Sequence, residues 1–502
     1  MSTHVSKLRE ALAEIEDLRH AGALLGWDQM TKMPPKGAAG RAEASSTIER
    51  IAHEKFVSPE IGKLLEGAAV EVEMIDQEDD DAALVHQTQR NWDKARRVPT
   101  ALAADLAKAA SLGQDAWVEA RANNDFEAFV PYLNRTLELK RAYVDCFDEF
   151  ACPYDALLDD YEPGMTASEV TRLFGELRDE LVPLIAEVAK HNVDDSPLHG
   201  NFPIEQQRKL VLEVVERMGF NSDSWRLDDT HHPFAESMSS KDVRITNRWE
   251  EGYFASALYG GMHECGHGLY EAGVADALQR TPLGHGVSLG FHESQSRMWE
   301  NMVGRGRPFA NVLAPAVSRL FGGELTDISP DRLFRAVNAI KPSLIRVEAD
   351  EATYGLHVIL RFELEQELIE GRLAVADVRD AWNAKVSDYL GIEVPSDTLG
   401  VLQDVHWSAG LVGYFPTYAL GNLIAGSLWE KVHEDIPDLD EQIGAGELAG
   451  LREWLRENVH QHGAKFLTPQ LLDRITGGPI EVGPFVNYLK TKLSSVYEVA
   501  LA

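Results

Sequence analysis

Residues His263-Glu264-Cys265-Gly266-His267 decide how this chain is to be read. In an α-helix, positions i and i+4 leave the same face, so imidazoles at 263 and 267 can share one cation. Glu264 lies about 100° further round, out of reach of the cation but within reach of a water beside it, where a general base belongs. Cys265 points about 200° from His263 and is expected to pack as a small apolar residue rather than to bind metal. With 17 histidines in 502 residues, a chance match to such a pattern is on the order of one in twenty. The weight therefore falls on the surrounding sequence.

Those surroundings are helical. Val5, Leu8, Leu12, Ile15 and Leu18 repeat in steps of three and four, predicting an amphipathic opening helix. It is expected to break between Trp27 and Pro35, because proline disfavours helical backbone in the residue before it. Further helices are predicted over roughly 36–70, 78–97, 100–122 and 126–152, the third capped by Thr100, and beyond Pro153 and Pro163-Gly164 another opens at Thr166. Alternation in Arg226–Asp229 and Asp242–Thr246, with Ser239-Ser240 as a turn between them, predicts a small antiparallel sheet just before the metal helix. An exposed edge of that sheet would suit pairing with an extended peptide. No repeat, low-complexity tract or linker interrupts the chain. The expectation is a mainly α protein, residues 1–502 forming one domain, with about the first 110 residues as an N-terminal helical lid or flank.

Composition narrows the partners. A net charge of −33 repels nucleic acid and anionic lipid, so neither is expected to bind. No run of 18 apolar residues occurs, so no membrane span is expected. The N-terminus has no apolar segment of a secretory kind, and the three cysteines (Cys146, Cys152, Cys265) are too few for a disulfide framework. The cytoplasm is the expected compartment.

A catalytic zinc takes three protein ligands and keeps one position open. A metzincin arrangement would require His at position 273, where the chain has Gly273. Downstream, His285, His292 and Glu293 remain. Glu293 lies 26 positions after His267, enough to end one helix, cross the Gly284-His285-Gly286 turn and return on a second. It is the predicted third ligand, with His292 on another face of that helix, free to orient substrate or a ligand. Zinc is the default ion for a His, His, Glu set, with cobalt or manganese as alternatives.

Six segments together carry a resemblance. They are His232-Pro233-Phe234; Asp242-Val243-Arg244-Ile245-Thr246; the 263–267 motif; His292-Glu293-Ser294-Gln295; Ile345-Arg346-Val347-Glu348-Ala349-Asp350; and Gly400 through Gln403-Asp404-Val405-His406-Trp407. In this order they resemble the thermostable carboxypeptidase family typified by carboxypeptidase Taq, nearly end to end. The resemblance implies a neurolysin-like helical body with a deep active-site cleft, a homodimer, and one divalent metal per chain. It implies removal of single C-terminal residues from peptides with broad specificity, sparing proline, with His263, His267 and Glu293 as ligands and Glu264 as acid/base.

An exopeptidase must also receive a free C-terminal carboxylate, which an acidic protein repels unless a cation is placed locally. Arginine suits this, its fork contributing about 1.5–3 kcal/mol per charged contact. Arg244, Arg297 and Arg346 are candidates, though Asp350 at i+4 offers Arg346 a plain surface pair and Arg297 is one turn from Glu293. His232, His406, Tyr414 and Tyr418 are candidate donors to an oxyanion, and Gly410–Pro416 has the composition of an adjustable loop. Two rivals stand beside this reading: an endo-acting metallo-oligopeptidase on the same scaffold, and a non-catalytic helical protein that keeps a metal for stability.

Overall fold

The structure is a computed structural model describing residues 3–501. Among the described residues it has twenty α-helices and one three-stranded sheet. The first four helices, α1 (His4–Thr31), α2 (Ala38–Phe56), α3 (Pro59–Val72) and α4 (Asp80–Arg97), enclose a small hydrophobic cluster of their own. That cluster, built on Leu8, Leu12, Phe56, Leu65 and Leu84, closes against Val274, Leu278 and Leu283. Salt bridges such as Arg280–Asp17, 2.6 Å, fasten the same flank to the rest.

All other helices share one large core. In chain order these are α5 (Thr100–Asn123), α6 (Phe126–Val144), α7 (Pro153–Leu158), α8 (Ala167–Val188) and α9 (Ile204–Met218). After the sheet come α10 (Phe254–Gly273), α11 (Leu289–Arg297), a π-helical stretch (Met298–Gly304), α12 (Arg307–Phe321), α13 (Pro330–Val337) and α14 (Glu351–Ile369). The chain ends with α15 (Val378–Leu390), α16 (Pro416–Asp435), α17 (Leu439–Ala445), α18 (Ala449–Asn458), α19 (Thr468–Thr476) and α20 (Gly483–Tyr497). Side-chain caps open many of these: Ser58, Thr166, Ser288 and Asp350 each accept a backbone N–H two or three residues on.

Several expected boundaries move. The opening helix runs through Trp27 to Thr31, because Pro34 and Pro35 act only on the residue before each. The 36–70 stretch is cut at Ser58-Pro59, where serine caps and proline starts a new helix. Thr100 is the first helical residue behind Pro99 and provides no side-chain cap. The helix expected to reach 152 ends at Val144.

The sheet is mixed rather than antiparallel. Its order is β1 (Trp225–Asp229), β3 (Asp242–Asn247), β2 (Ala235–Ser239), with β1 parallel to β3 and β2 antiparallel to it. The Ala-Glu-Ser-Met-Ser sequence of β2 lacks β-branched residues, which hid a third strand where only a turn was expected. Central β3 turns Val243 toward α10: a Cβ on Gly268 of that helix would stand 2.9 Å from the Val243 side chain.

Candidate active site

The site is assembled by close helix contacts that glycines permit. α10 holds Gly260, Gly261, Gly266 and Gly268, each costing about 1 kcal/mol of helix propensity relative to Ala. Close packing explains three of them, including Gly261, where a Cβ would meet the Val211 side chain at 2.7 Å. A Cβ at Gly268 would meet the Trp225 ring at 2.5 Å, and one at Gly266 would meet the Ser296 backbone at 2.7 Å. Gly266 therefore lets α11 lie directly on α10 and carry Glu293 toward the two histidines. From the far side α16 presses on Glu293 through Gly421, where a Cβ would sit 2.7 Å from the Glu293 side chain.

The three side chains converge. One ligand atom from each of His263, His267 and Glu293 lies within 4.8 Å of the others. Glu293 Oε2 is 3.6 Å from His263 Nε2 and 3.5 Å from His267 Nε2. Tetrahedral ligands at about 2.0–2.2 Å from one ion stand about 3.4 Å apart, so the donors fit a single small dication. Ser296 Oγ donates to Glu293 Oε2 at 3.1 Å and leaves that oxygen a second lone pair, while the other nitrogens and oxygens of the three side chains face partners away from the shared point. Arg297 Nε donates to Glu293 Oε1 at 2.6 Å. His263 Nδ1 lies 2.9 Å from Glu300 Oε2, and His267 Nδ1 lies 2.9 Å from His292 Nδ1.

The electrostatics fit a cation. Burial works against charging His263, yet Glu293, Glu300 and Glu264 overcome it and raise its pKa to about 9. The pocket thus calls for positive charge. Burial lowers His267 to about 4. Glu293 is held well below the usual carboxylate range, with Arg297 and the two histidines outweighing burial. Glu264, 6% exposed, goes the other way: burial raises it to about 7. Two carboxylates on adjacent helices, Glu264 of α10 and Glu293 of α11, are thereby shifted in opposite directions, Glu293 held as an anion and Glu264 able to exchange a proton near neutrality.

The other expected residues fall into two groups. Arg346, His406, Tyr414 and Tyr418 cluster: Arg346 Cζ is 4.9 Å from the Tyr418 ring, and the His406 ring is 5.4 Å from that of Tyr414. His406 Nε2 lies 3.3 Å from the Tyr418 hydroxyl. His232, in the loop between β1 and β2, joins their field: burial, then the Arg346 charge, lowers its pKa. The Arg346 fork itself is committed, with Nε and Nη2 donating to Asp404 and Nη1 to the Tyr354 hydroxyl. Asp350, its expected i+4 partner, instead caps α14. Arg244 stands apart, forked onto Asp242 and lying 4.5 Å over the Trp27 ring. Cys265 is buried, as expected of a packed residue. Gly410–Pro416 is not an open loop. The Gly413 N–H donates to buried Glu365, and a Cβ on Gly413 would meet Leu157 at 2.8 Å.

Sequence reasoning missed four supporting residues. Glu300 lies two turns beyond Glu293, a spacing that could have flagged it, in a π-helical stretch of the kind that often marks functional sites. Glu271 continues the 263, 267 stripe by another four residues. Tyr354 sits under Arg297, 4.2 Å from its guanidinium, and links it to Arg346. Arg361, fully buried, shares Asp404 with Arg346.

A helical body carrying a His, His, Glu donor set with a buried carboxylate beside it has the makings of a metal-dependent peptide hydrolase. Comparison with known proteins gives the rest. The carboxypeptidase Taq (M32) metallopeptidase family matches residues 7–493. Thermostable carboxypeptidase 1 of Thermus thermophilus is 40% identical over 98% of both chains, and carboxypeptidase 1 of Bacillus subtilis 36% over 99% of both. The crystal structure of an M32 carboxypeptidase from Deinococcus radiodurans superposes with a TM-score of 0.95 at 39% identity, covering 99% of this chain and 100% of that one. The chain belongs to the carboxypeptidase Taq (M32) family and is a metallocarboxypeptidase. Membership implies a divalent metal and peptide substrates. No helix among the described residues is long and apolar enough to cross a membrane.

Proposed function

We propose that the enzyme releases single C-terminal residues from peptides with broad specificity, sparing proline, at a zinc site made by His263, His267 and Glu293. The observation that carries this is the convergence of those three donors within 4.8 Å beside buried Glu264. A divalent ion held there would polarise the scissile carbonyl and acidify water. Glu264 takes a proton from the attacking water and returns it to the leaving amine, a role its carboxyl, raised by burial to about 7, is suited to and one worth roughly 10²–10⁴-fold in rate.

The chain end is received by the cluster around Arg346. Two buried guanidiniums, Arg346 and Arg361, share the single carboxylate Asp404, which leaves one positive charge uncompensated. A substrate carboxylate balances it. Because the Arg346 fork is engaged, Arg346 contributes charge, while His232, His406, Tyr414 and Tyr418 supply hydrogen bonds. Arg244, paired with Asp242, acts only through the sheet.

We place the enzyme in the cytoplasm as a homodimer, with α1–α4 serving as a flank over the cleft. Mass spectrometry of a peptide digested over time tests the reaction: stepwise loss from the C-terminus supports it, whereas internal cuts, or equal cleavage of C-terminally amidated peptides, would establish the endo-acting alternative.

A further inference from the structure

The two histidines of α10 are supported differently. His263 Nδ1 meets a carboxylate directly: Glu300, which Arg297 and Arg305 hold in turn. His267 Nδ1 meets a third imidazole, His292 Nδ1, at 2.9 Å. His292 Nε2 then lies 2.6 Å from Glu271 Oε1.

Only one proton arrangement satisfies this chain once His267 Nε2 faces Glu293 with a free lone pair. His267 Nδ1–H donates to His292 Nδ1, and His292 Nε2–H donates to Glu271. We propose that His292 and Glu271 are positioning residues which, with His267, form a carboxylate–imidazole–imidazole relay that holds His267 Nε2 in place to bind the metal. The inference rests on the reading of His263, His267 and Glu293 as ligands.

Independent contacts fix each member. Glu271 lies on the same stripe of α10 as His263 and His267, one turn on. Its Oε1 also accepts from the Gly286 N–H at 3.1 Å, and its Oε2 from Ser237 of β2 at 3.4 Å. The His292 ring packs on Tyr270, with centroids 4.9 Å apart. Gly286 makes room for that seat, since a Cβ there would lie 2.7 Å from His292. His292 and Glu271 both line two cavities of about 300 and 550 Å³, one toward α1 and β2 and the other toward α4. Replacing either therefore opens no sealed core.

The test is zinc affinity of the metal-free protein, measured against a chromophoric chelator. His292→Phe keeps a ring on Tyr270 but removes both nitrogens, and should weaken binding about 10–100-fold. His292→Asn, whose Oδ1 can still accept from His267, should fall between that variant and the parent. Glu271→Gln should weaken binding alone, yet add nothing in either the His292→Phe or the His292→Asn background. Glu300→Gln, on the other arm, should add its full effect to either. Parent-like affinity of His292→Phe would overturn the relay, as would an undiminished Glu271→Gln effect in that background. Should His292→Phe fail to melt cooperatively, the His292→Asn pair decides by the same criterion. A parent protein that binds no zinc would instead sink the underlying ligand assignment.

Discussion

Replacing Gly421 with alanine should disable the site from a residue that touches no substrate. A methyl there would start 2.7 Å from both Cβ and Cγ of Glu293 and 3.1 Å from the Gly290 carbonyl oxygen. Carbon atoms rest at about 3.5–4.0 Å, so α16 and α11 must part by about 0.8–1.3 Å. Glu293 Oε2 now stands 3.5 and 3.6 Å from the two histidine nitrogens. Moving it outward by about 1 Å takes it beyond bonding distance of an ion held at about 2.0–2.2 Å. A misplacement of that size costs roughly 10²-fold in rate, and zinc affinity should drop by more than tenfold. The fold should survive. Overpacking costs about 1–3 kcal/mol, partly offset by about 1 kcal/mol of helix propensity gained. The assay is kcat/KM on a blocked peptide with a free C-terminus, beside zinc affinity and the circular dichroism of the same sample. Gly175→Ala on α8, where a Cβ meets nothing within 4 Å, is the control and should stabilise slightly. Parent-like rate and affinity for Gly421→Ala would refute the claim that α16 sets the position of Glu293.

Glu264→Gln should keep zinc affinity near that of the parent while losing about 10²–10⁴-fold in kcat; near-parental turnover would remove Glu264 from the chemistry. Arg346→Ala should raise KM for free-carboxylate peptides and leave any background on amidated peptides unchanged, and an equal loss on both would make Arg346 purely structural. Asp404→Asn leaves two buried guanidiniums without their anion and should cost about 3–5 kcal/mol at neutral pH. Burial opposes ionisation of Asp404, but Arg361 and Arg346 hold its pKa well below the usual range. Its stabilisation is therefore full above about pH 4, the unfolded value, and fades as pH falls further toward the folded value. The gap in Tm between parent and variant should accordingly narrow below pH 4, and a gap constant from pH 7 to pH 3 would contradict the assignment.

The convergence of residues 263, 267 and 293 is legible because helical spacing alone relates 263 to 267, and because a return helix at 293 needs only a turn of plausible length. Helix boundaries are less so: Pro34 and Pro35 act only on the residue before each and leave α1 intact through Trp27 to Thr31, and the Ser58-Pro59 cap lies inside an apolar rhythm that masks it. Strand β2 was invisible because its Ala-Glu-Ser-Met-Ser sequence joins the sheet through backbone pairing with β3 rather than through side-chain propensity. The fates of the arginines could not be read at all. Arg346 pairs with Asp404, 58 residues away, rather than with Asp350 four residues on, and only tertiary structure reveals that choice. Glu271 and Glu300 were open to inference from their spacing, yet an acid in a chain with 81 of them attracts no notice until its partner is known.

The most direct measurement is anomalous diffraction at the zinc edge from crystals of the zinc-loaded enzyme. One peak per chain is expected, within about 2.0–2.2 Å of His263 Nε2, His267 Nε2 and Glu293 Oε2. A peak elsewhere, or these three side chains left without one, would contradict the account.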